Sequence, residues 1–208
     1  MDQKHHYLTR VRINDSRRSW WSVYNKLEPL HALVEKSVPT DYGRLLWRVD
    51  NEYEGPSLYV LSDTIPDMTA VVESYGWPRL DYSDQVKTVD MSRFFEDLRE
   101  GQRYGFRVTV NPSRRSSSSG KRYSLVGRGA KEWTRNKLED SGFSVLELEQ
   151  KEERHASLSK NGRRAMEKLT TYDGVLIISD PVLAAKALVS GIGRLKAYGA
   201  GLITLSRV

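Results

Sequence analysis

RYGFRVTV, at residues 103–110, governs the fold assignment, because it begins a second copy of an element order that the chain has already used once. Its apolar and polar residues alternate as in a half-buried strand. Downstream, residues 130–141 have helical spacing with Gly142 as C-cap, and Asp180 is placed to cap a helix that begins at Pro181. Strands are predicted at residues 143–148, 169–179 and 202–205, with polar segments at 111–122 and 149–168.

The first hundred residues follow the same order less clearly. The pattern predicts a strand at 6–13, a helix at 29–38, paired strands at 44–49 and 57–62, and a short helix at 66–74. Each half therefore approaches a β-α-β-β-α-β order, that of the ferredoxin-like or RRM-like fold. We predict an α+β protein of two tandem ferredoxin-like domains, residues 1–100 and 101–208.

Charge is distributed unequally between these halves. The 208-residue chain has a formal net charge of +6. Residues 1–102 contain 13 Lys and Arg against 17 Asp and Glu, whereas residues 103–208 contain 20 against 10. Such segregation is typical of a nucleic-acid-binding face in the second half, and a solvated basic surface is the alternative.

Several classes of protein are disfavoured by composition. The chain has no cysteine, which excludes disulfides and thiol catalysis. No apolar run approaches the roughly 20 residues that span a bilayer, and the N-terminus lacks a signal-peptide core, so we expect a cytoplasmic protein without a membrane partner. His5, His6 and His155 have no partners at metal-ligand spacing, so no metal site or other cofactor is predicted.

Glycine and basic residues are concentrated near the C-terminus. Gly191, Gly193, Gly199 and Gly201 surround Arg194 and Lys196. This pattern suits a loop whose backbone approaches a phosphate chain closely, and a structural turn between the last helix and strand is the alternative. A dinucleotide-binding fingerprint is disfavoured because the glycines follow a predicted helix and do not open one.

Two further basic segments are candidate RNA-binding elements. One is a serine-rich loop that carries Arg114, Arg115, Lys121 and Arg122, which could grip phosphates or merely solubilise the protein. The other is a predicted basic hairpin or arm, with Lys160, Arg163 and Arg164 around the turn signal Asn161-Gly162. Such an arm could enter the groove of an A-form stem, and a disordered charged loop is its alternative.

His31 is the candidate acid–base group. It lies near the start of the first predicted helix, and histidine titrates near neutrality, so it can exchange the protons that 2′-OH attack on a phosphate requires. A histidine with apolar helical neighbours is also common as a structural residue. From the residues alone, both interpretations stay open.

The ending GIGRLKAYGAGLITL resembles the glycine-rich loop of the CRISPR repeat-processing endoribonucleases, specifically the CasE family of type I-E Cascade complexes. Three stretches in the same order support the resemblance: the N-terminal strand followed by the helix with His31, LLWRV followed by YVLS, and FRVTVNPSRR with GKRYSL before KEWTRNKLEDSGF. It covers nearly the whole chain.

The resemblance implies a tandem ferredoxin-like enzyme that binds the stem-loop of CRISPR repeat RNA. It implies metal-independent cleavage at the 3′ base of the stem, giving 2′,3′-cyclic phosphate and 5′-OH ends, and retention of the guide RNA among other Cascade subunits. His31 matches the family's catalytic histidine, and Lys36 matches a basic position that could stabilise the transition state. Some relatives carry a tyrosine where this chain has Glu28, which leaves a catalytically inactive repeat-RNA-binding subunit as the alternative.

Overall fold

The computed structural model describes residues 5–160 and 163–208, apart from the side chains of Lys160 and Arg163. Within this part of the chain, two four-stranded antiparallel sheets form, one from each half. None of the helices in these ranges combines the length and the apolar character needed to cross a membrane. The predicted α+β class is confirmed.

The first sheet has the strand order β2-β3-β1-β4. Its strands are β1 (Tyr7–Arg12), β2 (Leu45–Glu52), β3 (Gly55–Ser62) and β4 (Val86–Asp90). Its helices are α1 (Arg18–Tyr24), α2 (Leu27–Glu35), α3 (Thr69–Tyr75), α4 (Tyr82–Gln85) and α5 (Ser92–Glu96). The buried core between sheet and helices includes Trp20, Leu30, Val34, Trp47 and Val60. This is the ferredoxin-like arrangement, with the first strand in the middle of the sheet.

The second half repeats the arrangement with the order β10-β5-β9-β8. Its strands are β5 (Arg103–Val110), β6 (Ser113–Arg115), β7 (Arg122–Ser124), β8 (Phe143–Lys160), β9 (Arg163–Ile178) and β10 (Ile203–Arg207). Its helices are α6 (Gly127–Glu139) and α7 (Pro181–Ser190). Asp180 caps α7 as predicted, because its carboxylate accepts hydrogen bonds from the backbone N–H groups of Val182 and Leu183.

The structure adds elements that were not predicted and extends one that was. Helices α1, α4 and α5 and strand β4 were not predicted; β4 is an edge strand on which only Val86 is buried, so it carries no apolar alternation. The predicted loop 111–122 contains one strand of the small β6–β7 hairpin and the start of the other. The predicted basic hairpin is confirmed and is longer than expected, because residues 149–160 and 163–168 continue the long strands β8 and β9, which pair from Phe143↔Ile178 to Lys160↔Arg163.

We call the outer part of this long hairpin, residues 151–160 and 163–168, the arm. The arm packs against the first half of the chain, where Ala156 and Leu158 share a cluster with Leu27 of α2, which is completely buried. The backbone N–H of Ser157 donates to the carbonyl of Asn25 at 2.8 Å. The arm is therefore attached to the segment that leads directly into α2.

Arg48 of β2 connects the two sheets. It is 1% exposed, and its guanidinium forms a bidentate pair with Asp50, with distances of 2.6 and 2.8 Å. Its Nη1 also donates to the carbonyls of Arg107 and Leu202, on the other half of the chain, at 2.9 and 2.8 Å. Because this buried charge is fully paired, it fixes the orientation of one sheet against the other.

Candidate nucleic-acid interface and catalytic centre

His31 lies in the middle of α2 and faces the glycine-rich segment of the second half. Its ring packs against the ring of Tyr198, with centroids 5.0 Å apart and planes at 64°. Its Nε2 lies 3.7 Å from a carboxylate oxygen of Glu35, one turn later on the same helix. Its Nδ1 is buried without a hydrogen-bond partner among the described residues. The histidine is thus placed where the two halves meet, and its side chain remains 23% exposed.

The glycine-rich segment, residues 191–201, is held against both halves. A single 3-10 turn, Lys196–Tyr198, is flanked by Leu195 and Gly199, which both have left-handed backbone conformations. Trp47 of the first sheet donates from Nε1 to the carbonyl of Ala197 at 2.8 Å. These contacts bring Tyr198 to His31, a contact between distant residues that single-sequence reasoning missed. Only the composition of the loop marked this region.

The glycines of this segment meet requirements of the fold. At Gly199, with φ of +81°, an added Cβ would lie 2.7 Å from the Trp47 ring. At Gly201, with φ of +85°, it would lie 2.5 Å from the carbonyl oxygen of Ile192, and at Gly193 it would lie 3.1 Å from Trp133. At Gly191 it would meet Leu46 and the Gly201 carbonyl at 3.0 Å. The fold itself therefore requires glycine at these positions, and contact of their backbone with RNA is a separate proposal.

We expect Gly199→Ala to destabilise the protein by about 2–3 kcal/mol, because the left-handed conformation and the overlap with Trp47 both add cost. Gly101→Ala is the matched control, since Gly101 has φ of +84° with open space around it. It should cost about 1–2 kcal/mol. Urea unfolding of both variants measures the difference, and equal losses would show that Trp47 tolerates the extra atom.

Predicted cations converge beside this segment. The Nη1 of Arg194 lies 3.3 Å from Oδ1 of Asn111 and 3.5 Å from Oγ of Ser113, and Arg122 also donates to Ser113. Arg194 is therefore connected to the base of the β6–β7 hairpin. The hairpin exposes its other cations, Arg114, Arg115 and Lys121. Together these residues extend a positive surface from the glycine-rich segment.

Lys196 is a partly buried cation of this surface. Its Nζ lies 3.4 Å from the carbonyl oxygen of Gly191. Burial, and to a smaller degree the charge of Arg44, lower the pKa of Lys196. A phosphate beside Lys196 would favour the charged form of the lysine, because a nearby opposite charge stabilises it.

The arm uses its cations in two ways. Arg154 donates to the carbonyl of Tyr24 at 2.7 Å and lies over the Tyr24 ring at 4.6 Å, and Lys168 is buried with Nζ 2.8 Å from Glu153. Arg154 therefore attaches the arm to α1, and Lys168 joins the two strands of the arm. Arg164 is exposed. The side chains of the predicted residues Lys160 and Arg163 lie outside the described part of the chain. The predicted turn Asn161-Gly162 also lies outside it.

Lys36 and Tyr24 occupy different surroundings from His31. Lys36 is exposed at the C-cap of α2, five residues past His31, which places it about 140° away around the helix axis. Tyr24 donates to Glu152 at 2.7 Å and accepts from Asn51. Burial raises the pKa of Tyr24 to about 12, which suits a structural hydroxyl that stays protonated. Across residues 5–160 and 163–208, no three His, Asp or Glu side chains cluster as metal ligands would.

Comparisons with known proteins agree over almost the full length. A family model described as CRISPR associated protein matches residues 6–207. The CRISPR-associated endoribonuclease Cse3 of Thermus thermophilus is 27% identical over 219 residues, which cover 96% of this chain and 99% of that protein.

Solved structures give the same result. Thermus thermophilus Cse3 bound to an RNA representing a pre-cleavage complex has a TM-score of 0.79 and 25% identity, over 97% of this chain and 99% of that chain. The CRISPR-associated protein Cas6e from Escherichia coli str. K-12 has a TM-score of 0.67 and 24% identity, over 97% of this chain and 100% of that chain. The tandem ferredoxin-like fold is therefore common to all three.

Proposed function

The chain belongs to the CRISPR-associated protein family whose model matches residues 6–207, and from this premise we propose that it is an endoribonuclease that processes CRISPR RNA. It binds the stem-loop of the repeat and cuts the precursor at the 3′ base of the stem. The observation that carries this proposal is the position of His31, which lies beside the glycine-rich segment and near a positive surface. The similarity to Cse3, an endoribonuclease seen with RNA, supports the same activity.

The proposed reaction uses the 2′-OH of the RNA as nucleophile and needs neither metal nor other cofactor. The O2′–H bond breaks as O2′ bonds to phosphorus, and the P–O5′ bond then breaks, leaving a 2′,3′-cyclic phosphate and a 5′-OH. His31 exchanges the protons of these steps, since imidazole accepts and donates near neutral pH. Lys36 would stabilise the developing charge only if the bound RNA reaches around α2.

The proposed RNA-binding surface combines the hairpin, the arm and the glycine-rich segment. Phosphate contacts by arginine and lysine give affinity, while the shape of an A-form stem gives selectivity. Arg164 and the proposed Lys160 and Arg163 would extend the surface along the stem. We further propose that the processed RNA stays bound within Cascade beside other subunits, that the protein is cytoplasmic, and that the domains divide near residue 100.

The test of this function is incubation of the full chain with end-labelled repeat hairpin in EDTA. We expect one cut at the 3′ base of the stem, and little cutting of an unstructured RNA of the same composition. Absence of any product would overturn the proposal. The second candidate function is that of an inactive subunit that binds the same RNA hairpin. Glu28 favours it, because some relatives carry a tyrosine at that position. This second function predicts RNA binding without a cleavage product.

The double variant Arg114→Glu and Arg115→Glu should weaken hairpin binding, because two exposed cations of the surface become repulsive. Each lost phosphate contact should also make the plot of log affinity against log salt shallower by about 0.7–0.9. Filter binding at several salt concentrations measures both effects. Arg93→Glu is the control, since Arg93 is 92% exposed on α5 in the first half. An unchanged slope would show that the β6–β7 hairpin of the protein does not contact the RNA.

A further inference from the structure

The His31 ring lacks the anchor that usually orients a catalytic imidazole. A hydrogen bond to the second ring nitrogen commonly fixes both the tautomer and the direction of the ring. Here Nδ1 is buried and, within the described residues, has no hydrogen-bond partner. Glu35 is 3.7 Å from Nε2, beyond hydrogen-bond distance, and its side chain is 48% exposed. Something else has to hold the ring.

Tyr198 is the side chain whose ring contacts it. The two rings meet edge to face, with 5.0 Å between centroids and 64° between planes, a geometry that favours aromatic pairs. From this arrangement, and resting on the proposed function, we infer that Tyr198 is a positioning residue for His31. It acts through the orientation of the imidazole and transfers no proton itself.

The backbone around Tyr198 is built to hold the ring in place. Its N–H donates to the carbonyl of Leu195 at 2.8 Å, and Trp47 fixes the preceding carbonyl of Ala197. The Tyr198 side chain also packs on the cluster that buries Leu27 and Ala200. Leu27 is one turn before His31 on α2. The tyrosine is therefore fixed both to its own segment and to the helix that carries the histidine.

This arrangement connects the position of the glycine-rich segment to the rate of RNA cleavage. If RNA phosphates bind Arg194 and Lys196, they contact the same short segment that carries Tyr198. RNA binding then affects the ring that orients His31. Removal of the Tyr198 ring should then lower the rate of cleavage without weakening the many phosphate contacts that supply affinity. A residue that merely supports the fold would lower both.

The experiment measures the single-turnover cleavage rate, the hairpin Kd and the thermal midpoint of each variant. We expect Tyr198→Leu, which keeps apolar volume, to lower the rate about 10–100-fold with Kd changed less than about 3-fold. Tyr198→Phe, which keeps the ring edge, should cleave within about 3-fold of the unaltered protein. Tyr53→Leu is the matched control, because Tyr53 is fully exposed at the β2–β3 turn.

The decisive comparison is the double variant His31→Ala with Tyr198→Leu. If Tyr198 acts through His31, the double variant should cleave no more slowly than His31→Ala alone, because the ring it orients is gone. Two independent rate losses would overturn the inference, as would an unchanged rate in Tyr198→Leu. A rate loss in Tyr198→Phe equal to that in Tyr198→Leu would instead assign the phenol to the chemistry. Failure of the unaltered protein to cleave would remove the proposed function itself, a result distinguishable from all of these.

Discussion

His31→Ala is expected to cut the hairpin RNA about 10²–10⁴-fold more slowly while binding it almost as tightly as the unaltered protein does. General acid–base catalysis by one side chain commonly contributes about 10²–10⁴ in rate, equal to about 3–5 kcal/mol of activation free energy. Affinity should change little, because it is spread over many phosphate contacts and His31 is 23% exposed beside them. Single-turnover cleavage and filter binding, on the same preparation, measure the two quantities separately.

Two substrate and product tests accompany this variant. A hairpin with a 2′-deoxy nucleotide just upstream of the scissile phosphate should bind and remain whole, because it has no nucleophile. Products of the ordinary hairpin should end in a 2′,3′-cyclic phosphate and be formed equally well in EDTA. Rapid cutting by His31→Ala, or of the deoxy hairpin, would refute the mechanism even though the family membership stands.

Arg48→Ala should destabilise the protein by about 3–5 kcal/mol, the cost of leaving one member of a buried ion pair alone. Asp50 is 3% exposed and would lose its bidentate partner, which leaves Arg107, at 3.6 Å, as its charged partner within the described residues. The carbonyl of Leu202 would also lose a buried donor. Urea unfolding measures the loss, and Arg93→Ala on the exposed face of α5 should change stability by no more than about 0.5 kcal/mol.

Arg48→Lys makes the test sharper. A lysine keeps the charge but cannot make the bidentate pair and reach both carbonyls across the sheets, so most of the loss should remain. If Arg48→Lys is as stable as the unaltered protein, charge alone matters and the fork of hydrogen bonds to the second half does not orient the sheets.

Local patterns were sufficient to predict much of the fold. Strand β5 was predicted at the residues that form it, because its alternation reflects one buried face. Helix α7 was predicted with its cap, because Asp180 followed by Pro181 is a local signal that needs no tertiary contact. The element order, read twice, then gave the tandem fold, which the strand orders confirm.

The missed features depend on contacts between distant residues. The turn signal Asn161-Gly162 predicted a basic hairpin, but nothing local indicates that its strands continue into β8 and β9 or that they pack against Leu27 of the other half. The contact of Tyr198 with His31 joins residues from opposite ends of the chain, and nothing near either residue indicates the other. Likewise, Arg48 resembles any strand arginine until the two sheets come together around it.

The packing of Leu27 against Ala156 and Leu158 also sets an order of events during synthesis. The ribosome must add more than a hundred residues after Leu27 before its covering strand exists, which at about 5–20 residues per second delays that contact by about 6–26 seconds. Tyr198 follows later still. A nascent chain therefore exposes His31 on an unfinished helix surface, and nuclease activity should appear only once translation has passed the glycine-rich segment.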